Sequence, residues 1–137
     1  MKENKLFLIV LVGGLLTGMA WFLLPSDRLP REESATETVK LVKLSKSAEH
    51  GRLLFNSNCA VCHGQNASGS KNGPPLIHKI YEPSHHSDLS FHRAAKFGVR
   101  AHHWPFGNMP PIPAVTETDV TLIVAYVREL QRANGIR

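Results

Sequence analysis

Cys59-Ala60-Val61-Cys62-His63 constrains this chain more than any other segment. It holds both cysteines of the 137-residue sequence and sets a histidine directly behind them. Two thiols at this spacing on a helical turn can each add to one vinyl group of a haem, and the adjoining imidazole then reaches the iron, which is the pattern of c-type haem attachment. A zinc ribbon would need a second pair of cysteines, and the sequence has none. A thioredoxin-like dithiol would sit in an alternation of strands and helices, whereas the flanks here read as helix and loop. The pentapeptide therefore predicts one covalently held haem.

The N-terminus adds independent support, because covalent haem attachment takes place outside the cytoplasm. Lys2 and Lys5 precede an apolar run over residues 6–24, close to the roughly 20 residues that cross a bilayer as a helix. A cleaved secretory signal would have a shorter apolar region, typically about 7–15 residues, ending in a small-x-small site. Trp21, Phe22, Leu23, Leu24 and Pro25 make a poor cleavage site, and Trp21 and Phe22 suit the membrane interface. Residues 1–24 are thus expected to be an uncleaved transmembrane anchor rather than a signal segment. The lysines keep that end in the cytoplasm, and the remainder is exported to the periplasm or another extracytoplasmic space. Residues 25–46, polar and punctuated by Pro25 and Pro30, read as a flexible linker. A short strand over 38–42 would lack an obvious partner.

Residues 47–137 form the expected domain. A first helix over 48–58 follows Ser47 as N-cap, with Glu49 in its first turn and Leu54 and Phe55 on an apolar face. Gly51 lies mid-helix, where it costs about 1 kcal/mol relative to Ala, so another backbone or a bulky ring is expected to approach it closely. A middle helix over 88–98 carries Leu89, Phe91, Ala94, Ala95 and Phe97 along one side. Thr116 and Asp119 open a last helix with a capping-box pattern, Val120, Ile123, Val124, Val127 and Leu130 recur at helical spacing, and Asn134-Gly135 can end it. So small an all-α domain, with three to four short helices, buries little surface by itself. The haem is expected to complete its core.

The iron's other ligand follows from the methionine count. Of the three methionines, Met1 and Met19 lie in the N-terminal segment. Met109 is left as the thioether of the exported part, in the loop Phe106-Gly107-Asn108-Met109-Pro110-Pro111. His63 and Met109 would then close both axial positions and raise the reduction potential relative to more basic ligands.

Taken together, these residues resemble the class I cytochrome c family from residue 47 to 136. Gly51 and Phe55 match the family's N-terminal helix, and Tyr126 matches the aromatic position of the C-terminal helix that crosses it. Gly73-Pro74-Pro75-Leu76 is similar to the family's proximal loop, which implies that the Pro74 carbonyl accepts a hydrogen bond from His63. The resemblance implies a fold of short helices around a single haem c and a role in one-electron transfer between protein partners.

Histidine is where the chain departs from that pattern. Beyond His63 there are seven, His50, His78, His85, His86, His92, His102 and His103. One reading is a second metal site such as copper, for which imidazole is a suitable ligand. The other is a partly exposed polar loop, with some histidines near the haem propionates alongside Arg100 and Trp104. The pairs form no helical i, i+4 ligand set backed by a second cluster, which favours the polar loop. His102 or His103 could also displace Met109, which would lower the potential.

The expected function is a membrane-tethered carrier, with no catalysis and no small-molecule substrate, exchanging electrons with membrane-associated respiratory or oxidase components. A haem-based sensor or copper-handling module is the competing reading. The formal charge of +5, lessened by two haem propionates, is weak evidence for an acidic partner patch. Without a basic run interleaved with aromatics, nucleic-acid binding has no support.

Overall fold

The computed structural model describes residues 37–137. The expected anchor and the first part of the expected linker lie outside the described residues. Among the described residues four helices follow in order: α1 (Lys46–Asn58), α2 (Ala60–His63), α3 (Asp88–Phe97) and α4 (Glu117–Ala133). Single 3-10 turns at Gln65–Ala67 and Lys79–Tyr81 punctuate the loops. No strand forms among the described residues. The extended contacts there are two isolated bridges, Ser70 to Gly73 and Val99 to Met109. Nor is any helix among them long and apolar enough to cross a membrane.

The packing of α1 against α4 organises the domain, and a glycine makes it possible. A Cβ on Gly51 would fall 1.9 Å from the Leu122 carbonyl oxygen, so the two backbones meet where α1 has no side chain. One turn along, Phe55 is fully buried against Tyr126, with ring centroids 5.5 Å apart and tilted at 57°. Ala48, Ile123, Val127 and Leu130 complete the seam, and Leu76, Ile77 and Ile136 extend it.

Helix α1 starts earlier than its sequence suggests. Ser45, not Ser47, is the N-cap, and its hydroxyl accepts from the Ala48 amide at 3.2 Å. Glu129 of α4 decides between the two serines, accepting from the Ser45 hydroxyl at 2.6 Å and from its amide at 3.0 Å. At the other end of the chain, the capping box expected at Thr116 and Asp119 is fully formed. The Asp119 carboxyl is held below its usual range by the bonds it accepts from the Thr116 amide and hydroxyl.

Residues 37–45 fall within the expected linker, yet they lie on the domain. The Glu37 amide donates to Ser68 O at 2.6 Å, and Lys40 exchanges backbone bonds with the Asn134 side chain. Val39 and Leu44 pack on the core. Asn134, which the sequence marks as a helix stop, thereby also holds the incoming chain in place of a strand partner.

Helix α3 differs from expectation in the face it buries. Phe91, Ala94 and Ala95 turn inward, while Leu89 and Phe97 are 64% and 69% exposed. Arg128 is one cause. It is buried on α4 and donates to Asp88 at the start of α3, to the carbonyls of Tyr81 and His86, and to Gln131, with its guanidinium 5.0 Å from the Phe91 ring centre. Gln131 in turn donates to Leu76 O and Tyr81 O. Buried carbonyls of the 76–86 segment that no helix could satisfy thus find donors on α4.

Gly51→Val is expected to destabilise the domain by more than about 3 kcal/mol, because backbone atoms on both helices would have to separate. Thermal unfolding of the haem-loaded protein measures it. A loss under about 1 kcal/mol would mean that the crossing adapts without strain.

Candidate haem site

Helix α2 is short because Cys59 both ends α1 and starts α2, with φ −120° and ψ −32°. This break turns the pentapeptide out of the line of α1. Cys59 is partly buried and Cys62 exposed. Burial and then the neighbouring Cys62 push the Cys59 thiol up to about 11. After α2 the chain doubles back beneath it: the Ser70 hydroxyl donates to Cys62 O at 2.6 Å, and Gly69 donates to His63 O at 2.8 Å. A Cβ on Gly73 would fall 2.9 Å from Cys62 O, so the loop lies directly against the turn.

That return places Pro74 beside the histidine. His63 Nδ1 lies 2.9 Å from Pro74 O, and because a carbonyl only accepts, Nδ1 must carry the proton. Nε2 is then a free lone pair with its ring orientation fixed, the usual arrangement of a ligating histidine. Burial lowers the pKa of this ring, partly countered by the same bond, so the lone pair stays available at neutral pH.

His63 opens into a cavity of about 550 Å³. Phe55, Leu76, Phe91, Trp104, Met109 and Ile123 are among the residues that line it. Met109 is positioned by its backbone, which exchanges hydrogen bonds of 2.9 Å with Val99 in both directions. Asn108 accepts from the Ala101 amide at 2.9 Å, and Ile112 donates to Ala95 O, so the loop is pinned on both sides of the methionine. Gly98 has φ +75°, and a Cβ there would meet Met109 O at 2.4 Å; glycine is required twice over.

The polar end of the cavity carries donors. Trp104 Nε1 is buried without a hydrogen-bond partner. The Tyr81 hydroxyl lies toward it, but their approach falls short of bonding geometry. Burial pushes the Tyr81 phenol up to about 12, which keeps it a donor. An apolar cavity lined by an imidazole, a thioether and an orphaned donor fits a haem, whose propionates can accept from such a donor. Of the residues expected here, Cys59, His63, Pro74, Met109 and Trp104 line this cavity. Cys62 is exposed and is not part of the lining. Arg100 is exposed and is not part of the lining, whereas Arg93 of α3 is.

The chain matches the family model described as Cytochrome c over residues 48–131, more than half its length. It belongs to the cytochrome c family. It is also 35% identical over 95 residues to the Cbb3-type cytochrome c oxidase subunit CcoP of Rubrivivax gelatinosus, a match covering 68% of this chain and 29% of that subunit. The protein is accordingly an electron-transfer cytochrome whose cofactor is covalently attached haem c.

This cytochrome differs from the sequence expectation in its histidines. His78 stands edge-on to Trp104 at 5.1 Å, and His92 remains on α3. His85, His86, His102 and His103 instead converge from two loops into one cluster, with ring centres of His102 and His103 4.2 Å apart and of His85 and His86 4.7 Å apart. The pKa of His86 is lowered by burial first and then, against the Ile80 bond, by His85, His102 and Arg128. That of His103 is lowered by desolvation and then by the other three imidazoles. Residues that local reasoning missed altogether are Tyr81, Arg93 and Arg128, each made significant by a partner distant in sequence.

Trp104→Phe is expected to lower the reduction potential of the cytochrome, because the cavity loses a donor able to shield propionate charge. Redox titration followed optically checks this. An unchanged potential would show that Trp104 Nε1 does not serve that purpose.

Proposed function

We propose that this cytochrome is a single-haem carrier in which Cys59 and Cys62 fix haem c, His63 and Met109 close the two faces of its iron, and residues 1–24 tether the domain to the membrane. What chiefly supports this reading is the shared cavity with His63 and Met109 on its walls, each held by backbone contacts on its own side of the chain. Haem c supplies one-electron exchange at its iron. The chain's part is to keep that exchange simple. Pro74 O holds His63 in one tautomer, the Val99 and Gly98 contacts hold the Met109 backbone, and apolar side chains from α1, α3 and α4 keep water from the cavity. If His63 and Met109 both hold the iron, no position there would be left for a substrate, and the group would supply electron exchange alone.

The tether follows from the apolar run over 6–24 behind Lys2 and Lys5 and places the haem domain on the extracytoplasmic side. Tethering raises the local concentration of the carrier near membrane partners without adding contacts. Likeness to a subunit of a Cbb3-type oxidase supports a respiratory oxidase as the electron acceptor, with a second membrane-associated protein as donor.

The oxidised protein is expected to show the weak absorption band at the red edge that reports sulfur on iron, and Met109→Ala to abolish it while leaving the haem attached. Absence of the band from the unaltered protein would remove Met109 from the iron. In membrane fractionation, the full chain should sediment with membranes and a chain lacking residues 1–24, exported by a replacement signal, should not.

A further inference from the structure

We propose that His85, His86 and His103 form a second metal site, distinct from the haem iron, that takes a late first-row divalent ion such as Cu²⁺ or Zn²⁺. The ligand nitrogens of these three residues all lie within 4.8 Å of one another. His85 Nε2 and His103 Nε2 are 3.3 Å apart. Two nitrogens bound tetrahedrally to one ion at about 2.0–2.1 Å would stand about 3.3 Å from each other. The pair is therefore already spaced for a shared metal.

His86 shows the same readiness by a different observation. Its Nδ1 lies 2.7 Å from Ile80 O, so Nδ1 carries the proton and Nε2 is the free lone pair. A ring nitrogen bonded to a backbone carbonyl is the usual outer support of a ligating histidine, since it sets both tautomer and ring angle. Arg128 strengthens that support by donating to His86 O, which anchors the residue's backbone to α4. His102 is built alike, with Nδ1 2.7 Å from Arg100 O, and its ring stacks on that of His86, with centroids 6.0 Å apart and planes 29° from parallel.

Charge is compatible with a cation. The Glu82 carboxylate lies beside His85. Three imidazole nitrogens with a fourth position left open suit Zn²⁺ or Cu²⁺, whereas Mg²⁺ and Ca²⁺ prefer oxygen. His86 and His103 also line the haem cavity, so the ion would sit at the mouth of the cleft. The site needs none of the haem ligands and stands independently of the electron-transfer reading.

The test is calorimetric titration of the haem-loaded full-length protein with Cu²⁺, with electron paramagnetic resonance of the loaded form. One ion per chain, with hyperfine splitting from several nitrogens, is the expected result. The double variant His85→Ala/His103→Ala, and His85→Ala alone, should each bind at least tenfold more weakly. His50→Ala and His92→Ala should bind as the unaltered protein does. The proposal is overturned if no stoichiometric binding occurs, if the double variant binds undiminished, or if the His50 and His92 variants lose affinity equally.

Discussion

Two helices whose backbones touch need a position with no side chain between them, and the rest of this domain is arranged around the one that Gly51 supplies. With Leu122 O at the place a Cβ would occupy, α1 and α4 come close enough for Phe55 and Tyr126 to pack directly. That fixes where α1 ends, and hence where Cys59 and α2 begin. The haem-attachment turn is thus carried on the end of a helix whose position is set one to two turns earlier. Glu129, Asn134 and Arg128, all on or beside the same α4, then fasten the N-terminal stretch, the start of α1 and the 76–88 segment.

The cavity gives that scaffold its purpose. Few of the described residues are fully buried, and much of the apolar surface of α1, α3 and α4 faces a space of about 550 Å³ that no side chain fills. An apolar body of that size removes this surface from water at about 25 cal/mol per Å², so the cofactor belongs to the core in the energetic sense as well as the functional one. Covalent attachment through α2 keeps it there irrespective of its redox state.

How far the sequence foretold this depends on the range of the interaction. The capping box at Thr116 and Asp119, the helical turn at 59–63 and the close approach at Gly51 are each written within a few residues, and each was readable there. The Pro74 contact to His63 spans eleven residues and came through resemblance to a family. The misreadings share a different cause. Ser45 rather than Ser47 caps α1 because Glu129 accepts from it, and residues 37–45 are ordered because Asn134 replaces a missing strand. Arg93 of α3 lines the cavity, and Arg128 of α4 holds that helix through Asp88 and Phe91. In every case the deciding partner lies on another element, and no local pattern encodes it.

The histidines extend that lesson. Taken along the chain, 85–86 and 102–103 are two unrelated pairs without ligand spacing. In space, the first pair sits where Arg128 gathers the carbonyls of Tyr81 and His86, and the second where the Met109 loop, closed by the Val99 bridge, turns back over the cavity. Both loops are held by the same requirement, that the cavity be walled on its open side. The imidazoles meet because both loops run along the cavity, with the His86 backbone held by Arg128 and the Met109 backbone by Val99. Donors whose backbones are already held lose less freedom when they bind an ion.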